Sequence, residues 1–282
     1  MLRRNFLAGA ASAVCASAIV AYSPAWSSGR RNDWQRLFNG VDLEGWTFKQ
    51  EGIGSVDLTN VVSVDDETIR FLMGEYDQPL SPPGYITTRD EFSNYHFRFE
   101  YRWGTRRWPP RALQPRNSGI LYHLGREREG KLFPQGVELQ LQEGNVGDAI
   151  MIDTLAVQGP LLGGTPLWPN WIPAVTKTYS DPITAGGYSR QWHRRHFDFA
   201  RDDGWNTIDL IAFEDQSVHL VNGRIVNPLF HMRRTSKDGE LNPLTSGRIA
   251  LEFEWAEVEF RKVEIRGLSA SEIQLIREQG SY

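Results

Sequence analysis

One apolar segment of the chain carries a polar side chain at every second position. Glu138, Gln140 and Gln142 alternate there with Val137, Leu139 and Leu141. A period of two separates the two sets onto opposite faces of a β-strand, so the segment predicts an apolar face and a row of carboxylate and amide groups. A carboxylate in such a row can act as a general base or as a ligand for a hard cation.

Other residues with suitable chemistry lie outside this row. Glu143 and Asp148 follow it in the chain, and His123 and His219 belong to other apolar segments. Carboxylates are the ligands that Ca²⁺ and Mg²⁺ prefer, and an imidazole can transfer protons near neutral pH. These residues form one site with Glu138 only if the fold brings their segments together.

The elements that must position these residues are mostly β-strands. A period of two recurs at residues 95–103, 207–213, 248–253 and 256–265. In the first of these segments His96 alternates with aromatic residues, so we predict that it lies at the surface. Asn222-Gly223 between two short apolar runs predicts a two-residue hairpin turn, because a type I′ turn needs positive φ at both positions. Residues 269–278 predict a helix with Ser271 as its N-cap.

Two long segments interrupt the strands. Residues 105–116 and 159–192 are rich in Pro, Gly and Trp and are too long for hairpin turns. Because their Trp content argues against disorder, we predict ordered loops that wall one end or face of the fold. The sequence as a whole predicts an all-β protein, a two-sheet antiparallel sandwich with long loops and a short C-terminal helix.

Charge and cysteine content exclude several classes of function. The 282 residues include 31 basic and 35 acidic residues, for a formal charge of −4. This balance offers no basic field for phosphate groups, so we predict no nucleic-acid partner. Cys15 is the only cysteine, and it lies in the segment that we interpret as a leader. A chain cut after that leader has no disulfide, thiolate metal site or cysteine nucleophile.

Residues 1–27 predict an export signal. Arg3 and Arg4 precede an apolar run that ends at Tyr22, and small residues suited to cleavage follow, near Ala25. The order Arg-Arg-Asn-Phe-Leu resembles a twin-arginine signal, whose substrates cross the membrane already folded. We therefore predict a periplasmic or secreted protein with no membrane contact after removal of the signal. An uncleaved membrane anchor is the alternative.

Several motifs, in order, resemble those of a known family. They are LFNGVDLEGW (37–46), NSGI (117–120), ELQL (138–141), WN (205–206), HLVNG (219–223), GRIALE (247–252) and VEFRKVEI (258–265). Together they resemble the 3-keto-disaccharide hydrolase family of exported bacterial proteins. The resemblance covers residues 34–268, leaves 269–282 as a helix and tail, and implies a concanavalin A-like jelly roll. Glu252 departs from the pattern, since many members carry Gln there.

The resemblance implies cleavage of glycosides whose C3 hydroxyl has been oxidised to a ketone. The ketone makes the C2 hydrogen acidic, because the carbanion is delocalised as an enolate. A base removes this proton, the leaving group departs from C1, and water adds afterwards. Such a route needs a general base, a group that stabilises the enolate oxygen and an acid for the leaving group. A divalent cation that bridges the C3 oxygen and the C2 hydroxyl would act as a Lewis acid.

These requirements lead to an assignment of residues. We predict Glu138, His123 and Glu143 as catalytic groups, and Glu138, Asp148 and His123 as ligands of a divalent cation, Ca²⁺ or Mg²⁺. The predicted contacts to a carbohydrate substrate are Asn117, Gln140, Arg261, Trp168, Trp171 and His219. Arg261 would hold a hydroxyl or the enolate oxygen, and the tryptophans would pack on sugar rings.

Each assignment has a structural alternative. The Glu138 row can be the solvated face of a sheet, and His123 can be a histidine bonded to a carbonyl. His219 can be exposed near its turn, Arg261 can pair with Glu259 or Glu252, and the tryptophans can anchor their loops. For the whole protein, a non-catalytic carbohydrate-binding module and a conventional glycosidase remain as alternatives to the 3-keto-glycoside enzyme.

Overall fold

The chain forms two antiparallel β-sheets and one short helix. A computed structural model describes residues 33–74, 76–169, 183–185 and 188–279. The predicted export signal and Trp171 lie outside these residues.

The strands and the helix are numbered in the order in which they occur along the chain. The first are β1 (Gln35–Arg36), β2 (Trp46–Gln50), β3 (Val62–Asp65), β4 (Thr68–Phe71), β5 (Gly84–Thr88), β6 (Phe92–Ser93) and β7 (Tyr95–Arg107). The next are β8 (Gly119–Leu124), β9 (Gly136–Gln140), β10 (Ala149–Ile152), β11 (Thr154–Gln158), β12 (Leu161–Leu162), β13 (Thr165–Pro166), β14 (Ile183–Ala185) and β15 (Tyr188–His193). The last are β16 (Asn206–Phe213), β17 (Gln216–Val221), β18 (Arg224–Thr235), β19 (Leu241–Pro243), β20 (Ser246–Phe253), β21 (Ala256–Gly267) and α1 (Ala270–Gln279).

The strands form a two-sheet jelly-roll sandwich. The ten-stranded sheet has the order β11-β18-β17-β16-β7-β21-β4-β3, with β1 beside β21 and β19 beside β18. The nine-stranded sheet has the order β14-β15-β10-β9-β8-β20-β5-β2, with β6 beside β20. The predicted all-β, antiparallel two-sheet fold is confirmed.

The main core lies between the two sheets. Phe97, Phe99 and Tyr101 of β7 face inward from the ten-stranded sheet, and Val137 and Leu139 of β9 face inward from the nine-stranded sheet; all five are fully buried. Because side chains alternate along a strand, the residues between them point away from the core. We call the face of the nine-stranded sheet that points away from the core its outer face, and the predicted polar row of β9 lies on it.

The hairpin prediction is confirmed, whereas the surface position of His96 is wrong. Asn222 and Gly223 have φ values of 50° and 75° and connect β17 to β18. His96 is only 4% exposed, because the ring of Trp34 packs against it with the centroids 4.8 Å apart. Its Nε2 lies 2.7 Å from Asp209 Oδ1, and burial lowers the pKa of this imidazole despite that carboxylate.

Helix α1 forms where the sequence predicts one, but with a different cap. Ser269 Oγ accepts a hydrogen bond from the Glu272 amide at 3.2 Å, and Glu272 Oε2 accepts one from the Ser269 amide at 2.9 Å. This reciprocal pair is a capping box, so Ser269 and not Ser271 is the N-cap. Ile273 and Ile276 pack against the ten-stranded sheet. In the described part of the chain, no helix is long and apolar enough to cross a membrane.

Candidate functional site

Three glutamates with little exposed side-chain surface lie together on the outer face of the nine-stranded sheet. Glu138 belongs to β9, Glu252 to β20, and Glu254 follows the end of β20. Glu138 is 9% exposed and Glu252 is 1% exposed, and the side chain of Glu254 is 13% exposed. Carboxyl groups are rarely buried to this extent without ion pairing. We refer to these three residues as the carboxylate cluster.

Gly119 provides the space in which two of these carboxyl groups converge. It begins β8, the strand between β9 and β20. A Cβ atom at Gly119 would lie 2.5 Å from Glu252 Oε2 and 3.0 Å from Glu138 Oε1. The two carboxyl groups therefore occupy the space next to the Gly119 Cα atom, and any side chain at this position would collide with Glu252 and crowd Glu138.

Amide and guanidinium groups surround Glu254. Asn117 Nδ2 donates a hydrogen bond to Glu254 Oε2. Arg111 Nη1 lies 3.6 Å from the same oxygen, and Arg111 Nη2 donates to Gln142 Oε1 at 2.6 Å. Two buried oxygens of the site, Asn117 Oδ1 and Glu252 Oε2, have no hydrogen-bond partner within the described residues. Buried polar atoms of this kind usually bind water or a ligand.

The cluster holds protons at neutral pH. Burial, together with the charge of Glu254, raises the pKa of Glu138 to about 8, although the positive charges of Arg190 and Arg111 oppose this increase. Burial also raises the pKa of Glu252 well above its ordinary range and raises the pKa of Glu254. Asn117 and Arg111 face Glu254, and the positive charge of Arg111 opposes the increase in the pKa of Glu254.

The raised pKa of Glu138 predicts that the folding stability falls as the pH rises. Because the pKa of Glu138 is about 8 in the folded protein and 4.5 ordinarily, the folded state binds more protons over this interval. The stability that protonated Glu138 contributes is therefore present below pH 4.5 and is lost as the pH rises through 8, at up to about 1.4 kcal/mol per pH unit. Glu138→Gln should flatten this loss. Urea unfolding at several pH values tests this, with the exposed variant Glu240→Gln as control, and parallel curves for wild type and Glu138→Gln would contradict it.

His123 does not join the cluster, contrary to prediction. Strict alternation would place it on the outer face with Leu121, but the pairing of β8 with β20 shifts register between Arg248 and Ala250. His123 adopts a φ of 51° at this bulge, and its ring packs in the core 5.6 Å from that of Tyr95. Burial lowers the pKa of His123 to about 3. The imidazole is neutral and on the wrong side of the sheet to act with Glu138.

Asp148 and Glu143 have structural partners. Asp148 is fully buried and accepts hydrogen bonds from Trp192 Nε1 at 2.7 Å and from the Arg195 amide at 2.8 Å. Glu143 accepts hydrogen bonds from the Arg116 amide at 2.6 Å and from Arg116 Nε at 2.8 Å. Burial would raise the pKa of Glu143, but these bonds outweigh it and hold the pKa below its ordinary value. Glu143 therefore forms an ion pair with Arg116, and its catalytic role stays a prediction.

The three predicted cation ligands are not assembled. Glu138 lies on the outer face, His123 in the core, and Asp148 is occupied by an indole and an arginine. Over residues 33–279, apart from the short undescribed stretches, no three His, Cys, Asp or Glu residues are arranged to hold a metal ion. The carboxylate cluster itself faces guanidinium groups and retains protons, which does not suit a divalent cation. The predicted Ca²⁺ or Mg²⁺ therefore takes no part in the reaction that we propose for this site.

Two predicted substrate contacts, Asn117 and Gln140, do lie on the outer face. Asn117 binds Glu254 directly, and Gln140 pairs with Gly119 across β8 and β9. Gln140 Oε1 accepts a hydrogen bond from the amide of Gln142 at 2.8 Å. Among the predicted substrate contacts in the described part of the chain, Asn117 and Gln140 are the two that lie near the carboxylate cluster.

His219 lies in the core, neither exposed nor at the cluster. Its Nδ1 donates to the Gly147 carbonyl at 3.1 Å, and its Nε2 accepts from the Tyr122 hydroxyl at 3.0 Å. Burial lowers the pKa of His219 to about 4. A neutral, doubly bonded imidazole of this kind stabilises the packing between the two sheets.

Arg261 belongs to the opposite sheet, and Trp168 packs against it. Arg261 Nε donates to Glu100 Oε2 at 2.7 Å, and its guanidinium lies 3.9 Å from the centre of the Trp205 ring. The partner of Arg261 is therefore Glu100, and not Glu259 or Glu252 as the structural alternative predicts. Trp168 packs on Phe213 of the ten-stranded sheet, with the ring centroids 5.9 Å apart. Its loop is anchored there, as the structural alternative for the tryptophans predicts.

The sequence prediction omits several residues of the site. Glu252 and Glu254 alternate with Leu251, Phe253 and Trp255, a signal that places both acids on one face of a strand. Arg111 and Arg190 give no such signal, because they lie in the two long interrupting segments. Loop residues reach a site through tertiary structure, which no local period encodes.

Trp192 is a further candidate that the sequence prediction omits. It pairs with Ile150 across β15 and β10, and Ile150 pairs with Glu138 across β10 and β9. Directly paired residues of antiparallel strands project on the same face, so Trp192 stands in one row with Glu138. It is 46% exposed, although the bond to Asp148 fixes its indole. An oriented, exposed ring beside the cluster offers a surface for the C–H face of a sugar.

Comparison with known families decides the assignment of the chain. A family model described as the 3-keto-alpha-glucoside-1,2-lyase-like domain matches residues 33–266. The chain belongs to this family. The resemblance identified in the motifs is confirmed, and the lyase-like domain spans both sheets and the carboxylate cluster.

Several solved structures are similar to this chain at low sequence identity. A candidate glycosyl hydrolase from Parabacteroides distasonis is 18% identical, with a TM-score of 0.49 and coverage of 84% of this chain and 100% of the other. A beta-glucanase from Bacillus licheniformis is 10% identical, with a TM-score of 0.44 and coverage of 84% and 98%. The carbohydrate-binding module CBM66 from Bacillus subtilis is 9% identical, with a TM-score of 0.44 and coverage of 79% and 96%. No curated protein matches the sequence.

Proposed function

We propose that the protein cleaves 3-keto-glycosides by removing the C2 proton, eliminating the leaving group from C1 and then adding water. The observation that carries this proposal is the convergence of Glu138 and Glu252 over Gly119 in a chain of the 3-keto-alpha-glucoside-1,2-lyase-like family. The substrate is a small carbohydrate. From the export signal that the sequence predicts at residues 1–27, we propose that the protein acts in the periplasm or outside the cell.

Glu138 is the general base in this proposal. The C2–H bond breaks, its proton passes to the Glu138 carboxylate, and its electron pair moves into the enolate at the C3 oxygen. A base whose pKa is raised to about 8 by burial is stronger than an ordinary carboxylate, which favours abstraction of a weakly acidic C–H proton. Arg111 and Asn117, which already bind the carboxylate of Glu254, offer donors for the negative enolate oxygen.

Glu252 is the acid for the leaving group. Its pKa lies well above the ordinary range, so it carries a proton that it can donate to the glycosidic oxygen as the C1–O bond breaks. The electron pair of the enolate forms the C1–C2 double bond, which gives a 2-hydroxyglycal with a ketone at C3. Water then attacks C1 and yields a proton to Glu252, and Glu138 returns its proton to C2. Both residues regain their starting states.

Turnover of paired substrates tests the function. A 3-keto-disaccharide should release 3-keto-glucose or its 2-hydroxyglycal, and the same disaccharide without the ketone should be stable. Deuterium at C2 should slow the reaction if removal of that proton limits the rate. Cleavage of the unoxidised disaccharide instead would support a conventional glycosidase, and saturable binding without cleavage would support a binding module. Either result would overturn the proposal.

Trp192 should contribute to substrate binding more than to chemistry. Loss of a stacking ring removes about 0.5–1.5 kcal/mol of interaction, which corresponds to an increase in KM of up to about tenfold. We therefore expect Trp192→Ala to raise KM for a 3-keto-disaccharide with little change in kcat, and Trp192→Phe to retain most of the binding. Steady-state kinetics of the two variants check this. An unchanged KM in Trp192→Ala would show that the ring does not contact substrate.

A further inference from the structure

Arg190 lies on the outer face of the nine-stranded sheet, in the same strand, β15, as Trp192. It pairs with Ile152 across β15 and β10, and Ile152 pairs with Gly136 across β10 and β9. Paired residues share a face, and Gly136 is two residues before Glu138, so the side chains of Arg190 and Glu138 project on the same side of the sheet. Arg190 is only partly exposed.

The side chain of Arg190 extends across β10 toward the carboxylate cluster. Strands β10, β9 and β8 separate β15 from β20, the strand of Glu252, which is about 19 Å along the sheet at about 4.8 Å per strand. The positive charge of Arg190 nevertheless opposes the increase in the pKa of all three glutamates of the cluster. Because the interaction between charges weakens with distance, the guanidinium points inward over β10 and not away from the cluster.

The keto sugar of the proposed reaction approaches Glu138 from the side of Trp192. The space next to Gly119 is occupied by the carboxyl groups of Glu138 and Glu252. Trp192 stands in one row with Glu138, and Ile150 of β10 lies between them, so the two backbones are about 10 Å apart. A sugar ring that packs on the indole therefore meets the base on the β15 side of the cluster, which is the side of Arg190.

Arg190 and Arg111 approach Glu138 from opposite ends of β9. Arg111 binds Gln142, which follows Glu138 in the chain, and also faces Glu254. The row of Arg190 crosses β9 before Glu138. Of these two guanidinium groups, Arg190 is the one on the side from which the sugar approaches.

We propose that Arg190 is a catalytic residue that donates hydrogen bonds to the C3 oxygen of the keto sugar and stabilises the enolate. The inference rests on the proposed 3-keto-glycoside cleavage and adds Arg190 to the donors that Arg111 and Asn117 offer. When the C2–H bond breaks, the proton passes to Glu138, the electron pair forms the C2–C3 double bond, and the carbonyl pair moves onto the C3 oxygen. A guanidinium stays charged and presents a fixed fork of donors, which suits an oxygen that becomes negative.

Exchange of the C2 hydrogen isolates this step from departure of the leaving group. The probe is 3-keto-glucose in D₂O, in which wild type should replace the C2 hydrogen by deuterium, as followed by NMR. Arg190→Met should slow this exchange at least about 10²-fold, the usual cost of one lost donor to an oxyanion. It should lower kcat for a 3-keto-disaccharide by a similar factor with little change in KM, because the neutral ketone binds the guanidinium more weakly than the enolate does.

A conservative variant and a neighbouring arginine complete the experiment. Arg190→Lys keeps the charge but not the fork, and it should lose only about tenfold in both rates. Arg194→Met is the matched control, because Arg194 is exposed and follows directly after β15. Near-ultraviolet circular dichroism checks the fold of each variant. If Arg190→Met lost its native spectrum, Arg190→Lys would decide, and wild-type rates in Arg190→Lys would overturn the proposal.

The outcomes separate the two proposals. Unchanged exchange in a folded Arg190→Met, or a higher KM with unchanged kcat, would overturn the role of Arg190 at the enolate while leaving the cleavage reaction intact. Absence of both exchange and turnover in wild type would overturn the proposed function itself.

Discussion

Glu138→Gln is expected to lower kcat for a 3-keto-disaccharide by about 10²–10⁴-fold, the usual contribution of a general base. The amide has the size of the carboxylate but cannot accept a proton from C2. Because burial raises the pKa of Glu138 to about 8, the wild-type side chain is mostly protonated at neutral pH, and a neutral amide satisfies the same environment. The loss should therefore appear in kcat, with substrate affinity nearly unchanged and a melting temperature no lower than that of wild type.

The pH profile distinguishes this catalytic role from a structural one. A base acts only when it is ionised, so wild-type kcat should rise with pH until it passes the Glu138 pKa of about 8. Glu138→Gln should lose this limb of the profile, and the exposed variant Glu240→Gln should retain it. A Glu138→Gln enzyme that keeps kcat within tenfold of wild type, with the same pH limb, would place the base elsewhere in the cluster.

The position of Glu138 was accessible from sequence because a strand has a strict period. Val137 and Leu139 had to face the core, and this left Glu138 on the other face. The same rule applied to Glu252 and Glu254, whose alternation with Leu251 and Phe253 carried an equally clear signal. No single strand encodes the position of β8, which begins with a glycine and lies between the strands of Glu138 and Glu252. Their convergence depends on strand order, which local sequence does not specify.

His123 shows where the periodic rule fails. A bulge adds one residue to one strand of a pair and reverses the face of the residues that follow. The register shift opposite β20 turns His123 into the core beside Tyr95, and the residue types around His123 in β8 do not mark the bulge. Arg261 illustrates a second limit, because its strand was predicted correctly but belongs to the other sheet. A correct strand with the wrong sheet assignment places a site residue on the opposite side of the molecule.

Gly119→Ala is expected to lower kcat at least about 100-fold without unfolding the protein. The new methyl group would lie 2.5 Å from Glu252 Oε2 and 3.0 Å from Glu138 Oε1, so at least one carboxyl group must move. Displacement of a catalytic group by about 1 Å can cost about 10²-fold in rate. The φ of Gly119 is not in the left-handed region, so alanine is compatible with the backbone and the effect arises from space alone.

Gly125 is a matched control that separates the effect of crowding at Gly119 from a general effect of an added methyl group. Gly125 follows directly after β8, and a Cβ atom there would have its nearest neighbour at 3.5 Å, an ordinary van der Waals contact. Gly125→Ala should therefore retain kcat, and both variants should show the same near-ultraviolet circular dichroism as wild type. If Gly119→Ala kept full activity, the close approach of Glu138 and Glu252 over Gly119 could not be required for catalysis, because the methyl group would displace at least one of them. Loss of activity in both variants would instead point to a general sensitivity of β8 to added side chains.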